Sequence, residues 1–172
     1  KQREGLMATT NAVNVGEASD AIEAVLKQGQ DALVLAFSSG LSTTYNSFKI
    51  AADDLAGQYP DRKIFVVDTL CASLGQGMFV YQAAQLRKAG KSIEEVRDWA
   101  EANKLNQCHW FTVNDLFFLK KGGRVSAATA VVGTMLQIKP VMHVDNEGHL
   151  IKVTTARGRK ASLKALVDKV GE

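Results

Sequence analysis

The sequence predicts an α/β protein: a mostly parallel sheet with helices on both faces, followed by the start of a second α/β domain. Three observations predict it. The apolar runs at 32–37 and 63–67 show no polar alternation, as in parallel strands buried on both faces. Each run leads into a segment with helical spacing, such as Tyr45, Phe48, Ala52, Leu55 and Tyr59. After residue 121 the pattern changes to two extended runs around Asp145-Asn146-Glu147-Gly148, then one amphipathic segment. That is a hairpin plus a helix. The expected division is therefore 1–121, an α/β domain carrying a hydroxyl-rich loop, and 122–172, the start of the second domain.

In chain order, residues 5–10 read as a short strand and turn, and 11–16 as a loop. Residues 17–28 read as a helix with Ala18, Ala21, Ile22, Val25 and Leu26 on one face, closed by Gly29. The strand at 32–37 follows, then a helix ending near Tyr59, because Pro60 cannot continue it cheaply. A strand at 63–67 ends at Asp68-Thr69. Residues 72–89 read as a long helix whose start is rich in small residues (Ser73, Gly75, Gly77), which allow close packing or close ligand approach. Ser92 and Glu95 form a capping box for a helix to about Asn106. A fourth strand is expected at 108–113 and a short helix at 115–121. Gly122-Gly123-Arg124 breaks the chain, and 126–134 reads as a small-residue helix. Strands at 138–144 and 149–155 and a helix at 160–170 complete it.

The stretch Ser38-Ser39-Gly40-Leu41-Ser42-Thr43-Thr44-Tyr45 lies between the first buried strand and its helix. Open α/β sheets bind ligands at that end of the strands. Free N–H groups and the positive end of the helix dipole favour an anion there. Six hydroxyl side chains on such a turn point to a carboxylate or a phosphate. Ser42 also suits an ordinary helix N-cap.

Composition narrows the classes. Hydrophobic residues make up 46% and charged residues 23%, as in an ordinary globular chain. A net charge of +3 gives no argument for nucleic acid. No apolar run reaches membrane-spanning length, so transient surface contact is the one membrane role left open. Two cysteines, Cys71 and Cys108, lack metal-ligand spacing, and no metal is expected. Two cysteines in unrelated contexts fit a reduced compartment, with cytoplasm as the default. A serine hydrolase would need a base beside Ser42. The G-x-S-x-G elbow is missing, and His109, His143 and His149 stand in other segments. No Walker A or G-x-G-x-x-G pattern occurs, although a phosphate at the 38–44 turn is physically sound. Arg124 after two glycines could hold an anion or a partner's carboxylate, or stand solvated.

Several stretches together resemble the DegV family of fatty-acid-binding proteins, which are similar to the lipid-carrying subunits of bacterial fatty-acid kinase. They are the 38–45 turn; Val67-Asp68-Thr69 with Ser73, Gly75 and Gly77; Leu116 and Leu119-Lys120-Lys121-Gly122-Gly123-Arg124-Val125-Ser126; and Ile138-Lys139-Pro140-Val141 with Gly148-His149-Leu150. Thr43 stands where the family usually has Gly. Thr9-Thr10-Asn11-Ala12-Val13 stands where it has Thr-Ser-Gln-Pro-Ser. Family members are longer, so an opening strand and a carboxy-terminal part with a His-containing segment are expected outside these residues.

The resemblance implies two α/β domains with a long acyl chain in an apolar tunnel between them. It implies that hydroxyls hold the fatty-acid carboxylate: by position Thr9 or Thr10, with Ser42, and Ser39 in the same turn. It implies a binding protein with no catalytic residues and no cofactor beyond the bound acid. Its partner would be the catalytic subunit of a fatty-acid kinase, with Arg124 as a candidate contact.

Overall fold

A computed structural model describes residue 4 and residues 8–125 and 137–171. The first layer is a parallel pair, β1 (Ala32–Ala36) and β2 (Ile64–Asp68), in register from Ala32 opposite Ile64 to Ala36 opposite Asp68. Helices α1 (Val15–Leu26) and α2 (Thr44–Gln58) cover one face. Helices α3 (Ser73–Lys88) and α4 (Ile93–Asn103) cover the other. The two-residue period of the strands sorts their side chains accordingly. Val34, Ile64 and Val66 pack with Ile22, Leu26, Ala51 and Leu55. Leu33, Leu35 and Val67 pack with Phe79, Trp99 and Ala100. The Phe79 and Trp99 rings stack with centroids 5.0 Å apart. Burying each large aliphatic side chain of this kind contributes about 1.5–3 kcal/mol. The expectation of strands buried on both faces is met in this alternating form.

Side-chain capping sets two of the helix starts. Asn14 Oδ1 accepts from Glu17 N at 2.9 Å, and Glu17 Oε2 accepts from Asn14 N at 3.0 Å. This capping box starts α1 at Val15, two residues before the expected 17. Ser92 and Glu95 form the expected box at α4. That helix stops at Asn103, and a 3₁₀ turn, Lys104–Asn106, follows.

The strand expected at 108–113 within the first domain is a correction in its place. β3 (Trp110–Thr112) does not join β1 and β2; it pairs antiparallel with β4 (Ile138–Val144), which pairs with β5 (Leu150–Arg157). Trp110 stands opposite His143 and the two rings stack at 4.7 Å. The second sheet thus begins before the change of pattern at 121. The β4–β5 hairpin is as expected. Asp145 Oδ1 accepts from Glu147 N and His149 N, and Gly148 takes φ +80°. α5 (Phe117–Lys121) starts two residues later than expected, after Asp115 Oδ1 accepts from Phe117 N. α6 (Arg159–Asp168) packs on β4 and β5. Leu116, Val125 and Met142 form the small core here, with Phe111, Val113, Leu119 and Leu150 around them.

Residues 8–10 form no strand, which corrects the described part of the 5–10 expectation; 5–7 lie outside the described residues. The helix expected at 126–134 likewise lies outside them.

Candidate functional site

The loops leaving the carboxyl ends of β1 and β2 are tied together. Thr69 Oγ1 donates to Ala36 O at 2.7 Å, and Cys71 N donates to Thr69 Oγ1 at 3.2 Å. Asp68 Oδ1 accepts from Ser39 N at 3.2 Å and from Leu70 N at 3.1 Å. Leu70 in the second loop and Ser73 at the start of α3 hold φ values of +52° and +51°, a conformation that non-glycine residues adopt at a cost.

The hydroxyl turn uses its own donors, which corrects one expectation. Ser39 N is taken by Asp68, Gly40 N by Ser38 Oγ at 3.2 Å, and Leu41 N and Ser42 N by Ser38 O at 3.1 and 3.2 Å. These N–H groups are therefore not free for an anion, so a ligand here would meet hydroxyls. Ser42 Oγ lies 2.9 Å from Thr44 Oγ1 and accepts from Thr44 N at 3.2 Å. Val13 N donates to Thr44 Oγ1 at 3.3 Å. That bond lays the end of the 8–13 segment at the start of α2 and brings together two residues 31 positions apart.

Beside this place is a cavity of about 730 Å³. Its apolar wall includes Phe37, Leu41, Met78, Phe111, Phe118 and Leu150, drawn from both sheets and their helices. Thr10, Ser73, Gln107, His109 and Arg124 add polar groups. An apolar hollow with a few convergent polar groups is the usual form of a small-molecule site.

Of the residues marked from sequence, Thr10 and Arg124 line the cavity. Ser42 stands next to Leu41, which does. Thr9 and Ser39 are exposed and outside the lining. Arg124 Nε donates to Leu41 O at 3.2 Å, and its Nη1 donates to Gly122 O. The guanidinium thus straps the 122–124 turn to the hydroxyl turn.

No local pattern pointed to the pairing of His109 with Cys71. His109 Nε2 lies 3.2 Å from Cys71 Sγ, and the ring fills the space where Gly75 lacks a side chain. Burial pushes the Cys71 thiol up to about 11. Burial, and secondarily the neighbouring His143, lowers His109 below the ordinary imidazole value. Near neutral pH this is a thiol beside a neutral imidazole, not a thiolate–imidazolium pair. The Ser42 hydroxyl hydrogen-bonds only Thr44 among the described residues, so none of them stands as a base on it. No His, Cys, Asp and Glu grouping fit for a metal occurs among the described residues.

The family model for the DegV family of uncharacterised proteins matches residues 1–172, the whole chain. The chain belongs to the DegV family. A DegV domain-containing protein of Clostridium perfringens is 51% identical over 166 residues, covering 96% of this chain and 57% of the relative. A DegV lipid-binding protein of Thermotoga maritima superposes with a TM-score of 0.83 at 31% identity, over 99% of this chain and 58% of that one. The Streptococcus pneumoniae fatty acid kinase B3 protein, loaded with linoleic acid, superposes with a TM-score of 0.84 at 26% identity, over 93% of this chain and 56% of that one. The chain thus spans less than two thirds of the length of these DegV relatives. Placed on the DegV fold, the cavity and the hydroxyl turn both lie at the carboxyl ends of the parallel strands, the usual ligand position in such sheets.

Proposed function

We propose that this chain forms the hydroxyl-bearing part of a carrier that holds a long-chain fatty acid and presents it to a partner kinase. The observation that carries this is the apolar cavity with Thr10 on its wall and the Ser42–Thr44 hydroxyl pair beside Leu41. The acyl chain would lie against Phe37, Met78, Phe111 and Phe118, with its carboxylate toward Thr10 and Ser42. The lipid named for the Thermotoga relative and the linoleic acid held by the pneumococcal one support the ligand class. The name of the latter supports a kinase partner.

Each hydrogen bond to a carboxylate contributes about 1.5–3 kcal/mol. A long chain at about 0.8 kcal/mol per buried CH₂ supplies on the order of 10 kcal/mol before binding costs. Chain burial therefore sets affinity, and the hydroxyls set orientation and preference for acids. Arg124 serves as the partner contact from its strap beside the cavity. The carrier works in the cytoplasm without a cofactor. No described helix is long and apolar enough to cross a membrane.

Mass spectrometry of lipid extracted from the purified protein tests this. A saturated or unsaturated fatty acid is expected. Phospholipid alone, or no lipid, contradicts it.

A further inference from the structure

We propose that Ser38 and Gly148 are positioning residues, through which the hairpin turn of the second sheet aims the hydroxyl turn at the cavity. The inference rests on the fatty-acid reading for its ligand but on geometry for its mechanism.

Ser38 is fully buried and uses every polar atom it has. Its N–H donates to Cys71 O at 3.0 Å, and its carbonyl accepts from Leu41 N and Ser42 N. Its hydroxyl accepts from Gly40 N and donates to Gly148 O at 2.9 Å, across 110 residues of chain. Gly40, Leu41 and Ser42 therefore hang from a single side chain and its carbonyl. That side chain is fixed by a residue of the other sheet. The approach is close on both sides. A Cβ on Gly40 would stand 2.7 Å from Glu147 O and 2.8 Å from Gly148 O. A Cβ on Gly148 would overlap Ser38 Oγ, and the backbone there holds φ +80°. Asp145 in turn fixes the hairpin turn by accepting from Glu147 N and His149 N. The order of support runs from Asp145 through Gly148 and Ser38 to Ser42. Ser38 itself does not line the cavity. Its effect on ligand is exerted through Ser42 and Leu41.

The test uses the full chain with palmitic acid and hexadecanol as probes, plus amide hydrogen exchange. Ser38→Ala should weaken palmitic acid roughly ten-fold, the scale of one misplaced carboxylate hydrogen bond, and hexadecanol much less. Gly148→Ala should do the same. In the double variant the overlapping oxygen is gone, so Gly148→Ala should add little to the loss of palmitic acid binding in Ser38→Ala, while the strain of Ala at φ +80° still lowers stability. The amides of Gly40, Leu41 and Ser42 should lose protection in each variant. Where Ser38→Ala does not fold, Gly40→Ala reads the same contact from the turn itself. Equal losses for acid and alcohol, additive losses of palmitic acid binding in the double variant, or unchanged amide protection would overturn the proposal. If wild type binds neither probe, the fatty-acid reading fails alone, and amide protection still decides the positioning claim.

Discussion

Two glycines of α3 make opposite predictions from the same substitution. In a helix, Gly→Ala is favourable by up to about 1 kcal/mol, because Ala restricts the unfolded chain. At Gly77 nothing lies within 4 Å of the new methyl group, so Gly77→Ala should show that gain. At Gly75 the methyl would overlap Cε1 and Nδ1 of the His109 ring and stand 2.9 Å from Nε2. The ring cannot simply retreat, because Nε2 already rests 3.2 Å from the fully buried Cys71. Overpacking of this kind costs about 1–3 kcal/mol. Losing the contact to sulfur adds up to about 1 kcal/mol. Gly75 sits in the first turn, where the propensity gain is smaller. The net expectation for Gly75→Ala is destabilisation by about 1–3 kcal/mol, which is roughly 2–12 °C in Tm for a chain of this size. Urea unfolding of both variants would measure it, and adding His109→Ala to Gly75→Ala should recover part of the loss. A Gly75→Ala protein as stable as Gly77→Ala would refute the placement of His109 against α3.

Other outcomes follow from the same site. Ser42→Ala should weaken a fatty acid roughly ten-fold and the matching alcohol much less. It should also cost about 1 kcal/mol of stability through the lost bond to Thr44 N, seen in urea titration. Ser42 should give no adduct with a fluorophosphonate probe, and stoichiometric labelling in mass spectra would reverse the carrier assignment. In native protein at pH 8, iodoacetamide should label exposed Cys108 and spare buried Cys71, as peptide mapping would show. The Cys71 thiol holds its proton up to about 11 in the folded state, above its ordinary value of 9.0. Its contribution to stability is therefore complete below pH 9 and declines as pH rises toward 11. Urea midpoints between those values should fall more steeply for wild type than for Cys71→Ala.

What the sequence made legible was local. The unalternated runs became β1 and β2, the Ser92–Glu95 box became the start of α4, and the Asn-Gly-containing turn became the β4–β5 hairpin. The Asn14-x-x-Glu17 box was equally local and could have set the start of α1 correctly. What stayed hidden was long-range. A three-residue strand such as β3 carries too little pattern to name its partner, so its antiparallel pairing with β4 had no local signal. The turn's hydroxyls pointed to the right loop. Their spacing could not tell that Ser38 faces Gly148 while Ser42 faces Thr44. Arg124 was marked by its glycines, but its strap to Leu41 spans 83 positions.

Photo-crosslinking with a diazirine-bearing fatty acid tests the central claim most directly. The acid should be bound in the cavity, its tail photolabelling Met78, Phe111 or Phe118 and competed away by unlabelled acid. Labelling spread over exposed apolar residues such as Leu163, Val167 and Val170 of the last helical segment, without competition, would contradict it.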